Sequence, residues 1–306
     1  MSIKAEDFGH VAVLMGGWAA EREISLISGA AVTAGLQRRG VNVTAIDVDR
    51  DILNVLSQGN FDRVFNIVHG RGGEDGVLQG ALETLQLPYT GCGVMASAVA
   101  MDKFRTKRLW QAYGLPTPPF VMLRTEEDLE AAHELGFPLM IKPSHEGSSI
   151  GMSRVDNVDQ LKVAWEEARK FDSDVMAERW VTGAEYTVGI FGDQALPMIR
   201  LKTSHEFYDF EAKYKSNDTE YLIPCGLPED KETELQALAL RAFEALGGSG
   251  WGRIDLMTDA EGFPWLIELN TVPGMTDHSL VPMAAQAVGI SFDELVWQIL
   301  AQTLEA

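Results

Sequence analysis

The stretch Gly252-Arg253-Ile254-Asp255-Leu256-Met257-Thr258-Asp259-Ala260-Glu261-Gly262-Phe263-Pro264-Trp265-Leu266-Ile267-Glu268-Leu269-Asn270 decides how this chain reads. Residues 253–256 and 266–270 alternate polar with apolar, the period of a strand with one buried face. Arg253 and Asp255 then share one face, as do Glu268 and Asn270. The turn-rich connection Thr258–Gly262 closes a hairpin centred near Glu261–Gly262, which sets Asp255 opposite Glu268 and Arg253 opposite Asn270. Like charges directly opposite are destabilising, so something must compensate them. Two carboxylates and an Asn amide oxygen are the hard donors that Mg²⁺ accepts beside phosphate oxygens. A plain solvent-facing hairpin is the alternative, and motifs elsewhere weigh against it.

Upstream, Lys142 ends the apolar run Phe137-Pro138-Leu139-Met140-Ile141, which delivers a cation at a strand tip. The next loop, Glu146-Gly147-Ser148-Ser149-Ile150-Gly151, is small enough for backbone N–H groups to approach a phosphate, although many such loops are only turns. No G-x-x-x-x-G-K-[ST] P-loop occurs. Near the N-terminus Gly16-Gly17 lies between a strand and a helix without G-x-G-x-x-G, which disfavours NAD. Glu21 follows that turn, either as a dipole complement at the helix start or as a carboxylate at the ligand edge of a parallel sheet. His69-Gly70-Arg71-Gly72-Gly73-Glu74-Asp75-Gly76 reaches the same edge, with His69 either structural or part of a site.

The first ninety residues alternate β-branched runs with amphipathic stretches: strands at His10–Met15, Val41–Asp47 and Val64–Val68, helices at Ala20–Arg39, Asp51–Gln58 and Gly76–Gln86. This predicts βαβ units and a parallel sheet. One long helix is expected over 94–113, then the breakers Pro116, Pro118 and Pro119. A compact α+β unit follows, with helices at 125–135 and 156–171. Residues 203–221 are polar and carry neither period, which suits an active-site lid. A helix at Glu229–Leu246, the hairpin and two C-terminal helices complete the chain.

The 306 residues are 46% apolar and 23% charged, which excludes disorder, collagen and coiled coil. Twenty-five basic against 45 acidic residues give a net charge of −20, which argues against nucleic acid as a partner. No apolar run approaches the roughly 18 residues of a membrane span, and MSIKAEDFGH is unlike a secretory signal. With Cys92 and Cys225 as ordinary thiols, a cytoplasmic location and no membrane partner are expected.

Taken in order, these motifs make the chain similar to the ATP-grasp D-alanine–D-alanine ligases. The match runs through Ala20-Glu21-Arg22-Glu23, His69 to Gly76, Met101-Asp102-Lys103, Lys142-Pro143-Ser144, Glu146-Gly147-Ser148-Ser149, Glu211-Ala212-Lys213-Tyr214, Gly252-Arg253-Ile254-Asp255, Glu268-Leu269-Asn270 and Pro273-Gly274-Met275-Thr276. The resemblance implies an α/β (α+β) ATP-grasp fold in three parts. These are an N-terminal parallel-sheet βαβ domain at 1–93, a small central α+β lid at 94–182, and a C-terminal domain with a mixed sheet at 183–306. It also implies that two D-alanine molecules and ATP are the substrates, joined through a D-alanyl phosphate with release of ADP and phosphate, for peptidoglycan precursor synthesis.

By motif match, Lys103 and Lys142 hold ATP phosphates, with Ser148 and Lys213 beside them. Glu178, Trp180, Val181 and Glu185 surround adenine and ribose; relatives often carry Glu-Lys where this chain has Glu178-Arg179. Asp255, Glu268 and Asn270 match the ligands of two Mg²⁺ ions (Mn²⁺ possible) bridged by Glu268, in agreement with the hairpin argument. Glu21 and His69 belong to the first D-Ala pocket, and Ser279 with the Leu280 backbone meets the second carboxylate. Arg253 and the Gly274 N–H meet the developing oxyanion, while Ser148 and Tyr214 close the lid. A homodimer is implied as well. The rivals are a D-Ala–D-lactate ligase, which typically has Phe at the Tyr214 position, another ATP-grasp carboxylate–amine ligase, and a nucleotide-binding module that has lost catalysis.

Overall fold

The computed structural model describes residues 3–147, 149–203, 219–276 and 278–305. Strands β1 (His10–Gly16), β2 (Asn42–Val48) and β3 (Arg63–Asn66) form a parallel sheet in the order β2-β1-β3, and Val64 bridges Tyr89 beyond β3. The apolar run of β1 is continuous because both its faces are covered. Val11 and Val13 meet Val32 and Leu36 of helix Arg22–Arg38 and Val296 of helix Phe292–Ala301, whereas Ala12 and Leu14 meet Ile52, Leu56, Leu78 and Leu82. The C-terminal helix thus belongs to the core of the N-terminal sheet, tied there also by Arg38 to Asp293.

The second sheet is β4 (Phe120–Leu123), β5 (Leu139–Pro143), β6 (Ser153–Val155) and β7 (Val175–Arg179), antiparallel in the order β4-β7-β5-β6. Leu139, Ile141, Val175 and Ala177 pack on Leu161, Ala164 and Trp165 of helix Val158–Ala168. Period two then turns Met140, Lys142 and Glu178 to the opposite face.

The third sheet holds β8 (Ala184–Phe191), β9 (Gln194–Ala195), β10 (Ile199–Lys202), β11 (Glu220–Leu222), β12 (Trp251–Thr258) and β13 (Pro264–Asn270), in the order β11-β10-β8-β12-β13 with β9 on β8. Expected to be mixed, it is antiparallel at every pairing among the described residues: β8–β9 and β12–β13 close by short turns, and the long excursion from β8 to β12 through helix Glu229–Ala245 brings the chain back in the opposite direction. Tyr186, Val188, Ile190, Ile254, Leu256, Leu266 and Leu269 pack on Leu235, Leu238, Ala242 and Phe243 of helix Glu229–Ala245. The polar alternates face the second sheet.

The helix expected over 94–113 is two helices, Val94–Met101 and Lys103–Ala112. Asp102 breaks it with an extended backbone, and its Oδ1 accepts from the Arg105 N–H at 2.9 Å, so it caps the second helix. Both helices pack on the core of the third sheet, where Trp110 is fully buried and donates from Nε1 to the Ala242 carbonyl at 3.0 Å. The expected helix over 125–135 is likewise a 3₁₀ turn, Glu126–Asp128, followed by Leu129–Glu134.

Candidate active site

The hairpin register matches the sequence reading: Asp255 lies opposite Glu268 and Arg253 opposite Asn270. Beyond Asp255 the register slips, so that Leu256 faces Leu266 and Ile267 is the extra residue of a bulge. Leu266 can then stay in the core while Ile267 and Glu268, although consecutive, both line the cleft.

Asp255 is nearly buried and heavily tied. Arg253 donates from Nε to Oδ1 at 2.8 Å and from Nη2 to Oδ2 at 2.7 Å; Thr187 Oγ1 donates at 2.6 Å and Asn270 Nδ2 at 3.0 Å. Lys103 Nζ lies 3.6 Å from Glu268. The compensation demanded by facing acids is therefore present as two cations. Among the described residues no three His, Cys, Asp or Glu side chains form a metal cage. The donor set offered here is two carboxylates and an amide, hard oxygens that fit Mg²⁺ or Mn²⁺ sharing its shell with phosphate oxygens.

Two cavities meet at this hairpin. One of about 450 Å³ lies between the second and third sheets and is lined by Lys103, Lys142, Gly147, Glu178, Trp180, Val181, Glu185, Asp255 and Glu268, among others. The other, about 600 Å³, opens toward the N-terminal sheet and is lined by Glu21, His69, Glu74, Lys103, Gly147, Arg253, Glu268, Asn270, Gly274, Ser279 and Leu280, among others. Their walls share three residues, Lys103, Gly147 and Glu268. Every site residue expected from sequence that lies among the described residues lines one cavity or the other. Ser148, Lys213, Tyr214 and the body of the expected 203–221 lid lie outside the described residues. Of that stretch's flanks, Thr203 lines the first cavity, and Thr219 and Tyr221 line the second.

In the first cavity Lys142 Nζ donates to Glu178 Oε1 at 2.8 Å, both groups being buried, and Lys107 pairs with the other carboxylate oxygen. Burial pushes the Glu178 carboxyl up, but the two lysines outweigh it and hold the group below its ordinary value. Burial also pulls Lys107 down to about 8, against the pull of Glu178. Lys107 is the residue sequence reading missed; it lies one helical turn after Lys103 on the same face, which was the available signal.

Glu21 starts helix Arg22–Arg38 and is 8% exposed. Its carboxylate lies between two glycines: a Cβ on Gly70 would come within 2.6 Å of Oε2, and one on Gly147 within 2.5 Å of Oε1. Gly70 also needs its freedom for a φ of +68°. His69 is buried, with Nδ1 donating to the Val272 carbonyl at 2.9 Å, Nε2 3.3 Å from Ser28 Oγ, and Glu74 3.6 Å away. Burial pushes the Glu74 carboxyl up. Ser279 precedes helix Leu280–Ala287, and its Oγ accepts from the Thr276 N–H at 2.8 Å. A side chain at Gly274 would collide with that hydroxyl, at 2.8 Å.

The Gly/Ser loop is anchored from below. Lys103 Nζ donates to the Glu146 carbonyl at 2.7 Å, and Arg71 pairs with the Glu146 side chain at 2.8 Å. His145 holds Asp172 through Nδ1 at 2.7 Å and Asp102 through Nε2 at 3.1 Å. These bonds raise the His145 pKa, the one to Asp102 most of all, against burial.

A cleft walled by two antiparallel sheets, with lysines inside and an acid hairpin at its end, defines this chain as an enzyme of the ATP-grasp class. Family models narrow the class: residues 53–92 match the D-ala D-ala ligase N-terminus and residues 109–301 the D-ala D-ala ligase C-terminus. The chain belongs to the D-alanine–D-alanine ligase family. It is 58% identical over 304 residues to the D-alanine–D-alanine ligase of Nitrosococcus oceani, covering 99% of this chain and 96% of that relative. A D-alanine–D-alanine ligase structure from Bacillus anthracis superposes with a TM-score of 0.87 at 32% identity, and one complexed with ATP with 0.85 at 31%; each comparison covers 97% of both chains.

Proposed function

We propose that the chain joins two D-alanines to D-alanyl-D-alanine, cleaving ATP to ADP and phosphate, for peptidoglycan precursor synthesis in the cytoplasm. The observation that carries this reading is the shared wall. A phosphoryl group that starts in one cavity and ends on a substrate in the other must pass Lys103, Gly147 and Glu268, the residues common to both.

ATP fits the 450 Å³ cleft with its base and ribose among Glu178, Trp180, Val181 and Glu185 and its phosphates toward Lys142 and Lys103. The first D-alanine sits in the second cavity, its ammonium on Glu21 near His69. Its carboxylate attacks the γ-phosphorus, the bond to the ADP oxygen breaks, and a D-alanyl phosphate forms. The second D-alanine, its carboxylate at Ser279 and the Leu280 N–H near a helix N-terminus, attacks the acyl carbon as a neutral amine. Arg253 and the Gly274 N–H stabilise the oxyanion that develops, after which the phosphate leaves with its bonding pair and the attacking nitrogen releases one proton to the phosphate or to water. Charge stabilisation by groups already in place is the main catalytic contribution.

Asp255, Glu268 and Asn270 would hold Mg²⁺, with Mn²⁺ as a substitute; when bound, the metal would neutralise phosphate charge. Ser148, Lys213 and Tyr214 are proposed to act from the loop side. The three-part division at 1–93, 94–182 and 183–306 rests on one sheet in each part, although helices Val94–Met101 and Lys103–Ala112 lean on the core of the third sheet and helix Phe292–Ala301 on that of the first. A homodimer is proposed as well.

The test is ADP release with D-alanine, with L-alanine, and with D-alanine plus D-lactate, with and without Mg²⁺. Release that needs Mg²⁺ and D-alanine together supports the reading. Equal turnover with L-alanine refutes it, and a depsipeptide product in place of the dipeptide favours the D-lactate alternative.

A further inference from the structure

Lys107 is fully buried and lines neither cavity, yet it carries its charge into the seam between the two sheets that enclose the first. Its Nζ pairs with Glu178 on β7, donates to Thr117 Oγ1 at 2.7 Å, and lies 3.3 Å from the Leu266 carbonyl on β13. Thr117 Oγ1 donates to that same carbonyl at 2.9 Å, and the Leu266 N–H donates to the Pro116 carbonyl at 2.9 Å. The ammonium is thus held by groups from both sheets and from the segment that leads from its own helix into β4.

Two lysines face the single carboxylate of Glu178, and they are not equivalent. Lys142 lines the cleft, where an entering phosphate competes for it, whereas Lys107 stands behind Glu178 where no ligand reaches. A buried carboxylate that lost its only cation would take up a proton and change from acceptor to donor. Lys107 prevents that when Lys142 turns to phosphate.

We infer that Lys107 is a positioning residue that keeps Glu178 an acceptor aimed into the cleft, and thereby sets the selection of a nucleotide base presenting an amino group over one presenting a carbonyl. The inference rests on the first cavity being the ATP cleft. It accounts for a lysine at a buried position where an apolar side chain would avoid a desolvation cost.

The test compares ATP with inosine triphosphate, which carries a carbonyl in place of the 6-amino group, in the parent enzyme and in Lys107→Met. The parent should favour ATP at least tenfold in kcat/KM. Lys107→Met should raise the ATP KM about tenfold, leave the D-alanine KM unchanged, and shrink the ATP preference at least fivefold, since a hydrogen bond to a charged acceptor is replaced by one to a neutral group. If Lys107→Met lowers turnover with both nucleotides equally and the preference is unmoved, Lys107 is structural and the inference is overturned. Should that variant fail to fold, Thr117→Val, which removes one acceptor of the ammonium, should shift the preference in the same direction by a smaller factor; an unchanged ratio overturns the inference equally. A parent enzyme that does not hydrolyse ATP with D-alanine refutes the cleft assignment instead, so the two failures are distinct.

Discussion

Replacing Gly147 by Ala tests whether the Gly/Ser loop sets the position of the Glu21 carboxylate. The Gly147 backbone is outside the left-handed region, so alanine strains nothing in the main chain. Its Cβ would lie 2.5 Å from Glu21 Oε1, and ordinary contact begins at 3.4 Å, so the carboxylate must retreat by about 0.9 Å. Retreat is confined, because Glu21 is 8% exposed and the other oxygen already lies against Gly70. The yielding group is a side-chain end, and rotating it off its preferred rotamer costs only about 0.5–1.5 kcal/mol. The fold should therefore survive with a melting temperature lower by a few degrees. A substrate-positioning group displaced by about 1 Å costs on the order of 10²-fold in rate, which at about 1.4 kcal/mol per tenfold is near 3 kcal/mol of transition-state stabilisation. Steady-state ADP release should show kcat/KM for D-alanine down roughly 10²-fold while the ATP KM stays within about threefold. A variant as active on D-alanine as the parent would refute the placement of the first substrate at Glu21.

Glu268→Gln removes one of the two facing charges at the wall between the cavities, and kcat measured by ADP release should fall at least ~10²-fold; near-normal turnover would show the acid pair to be structural. The His145 clamp has a definite pH signature. Its pKa is raised on folding, so the stability it adds is fully present below the ordinary value of about 6.5 and is lost as pH rises through the folded value. The urea midpoint of the parent minus that of His145→Asn should be larger near about pH 5.5 than near about pH 8.5, and an unchanging difference would contradict the charged clamp. Asp102→Ala deletes the cap that starts helix Lys103–Ala112 and one partner of that clamp, and should lower stability by about 1–2 kcal/mol in a denaturant titration; an unaltered midpoint would contradict the capping role.

Legibility in the sequence followed the range of the forces involved. The hairpin register could be read in advance because alternation and a turn suffice to specify it, and Asp255 and Glu268 do face one another. The parallel arrangement of β1–β3 was readable from a different local signal, β-branched runs separated by amphipathic helical stretches. The bulge at Ile267 was not, since it relieves a conflict between keeping Leu266 in the core and presenting Glu268 to the cleft, which arises only once helix Glu229–Ala245 is packed beneath. The helix break at Asp102 left a weak trace, an acid before a run of good helix formers, but apolar periodicity on both sides masked it. Lys107 carried only a faint local signal, its place one helical turn after Lys103, because its significance lies in Glu178, Thr117 and Leu266, which tertiary packing brings to it. Glu21 could be named from its motif, yet its confinement between Gly70 and Gly147 depends on two loops distant in sequence.

The central claim is that the carboxylate of one D-alanine takes a phosphoryl group across the wall shared by the two cavities and then yields it as phosphate. The direct measurement uses D-alanine labelled with ¹⁸O in its carboxylate, turned over with unlabelled ATP, and reads the isotope content of the phosphate released. The account predicts that each phosphate formed by ligation carries one ¹⁸O from D-alanine, in step with dipeptide formed. Phosphate without label would mean that the carboxylate never attacked phosphorus, and would contradict the account.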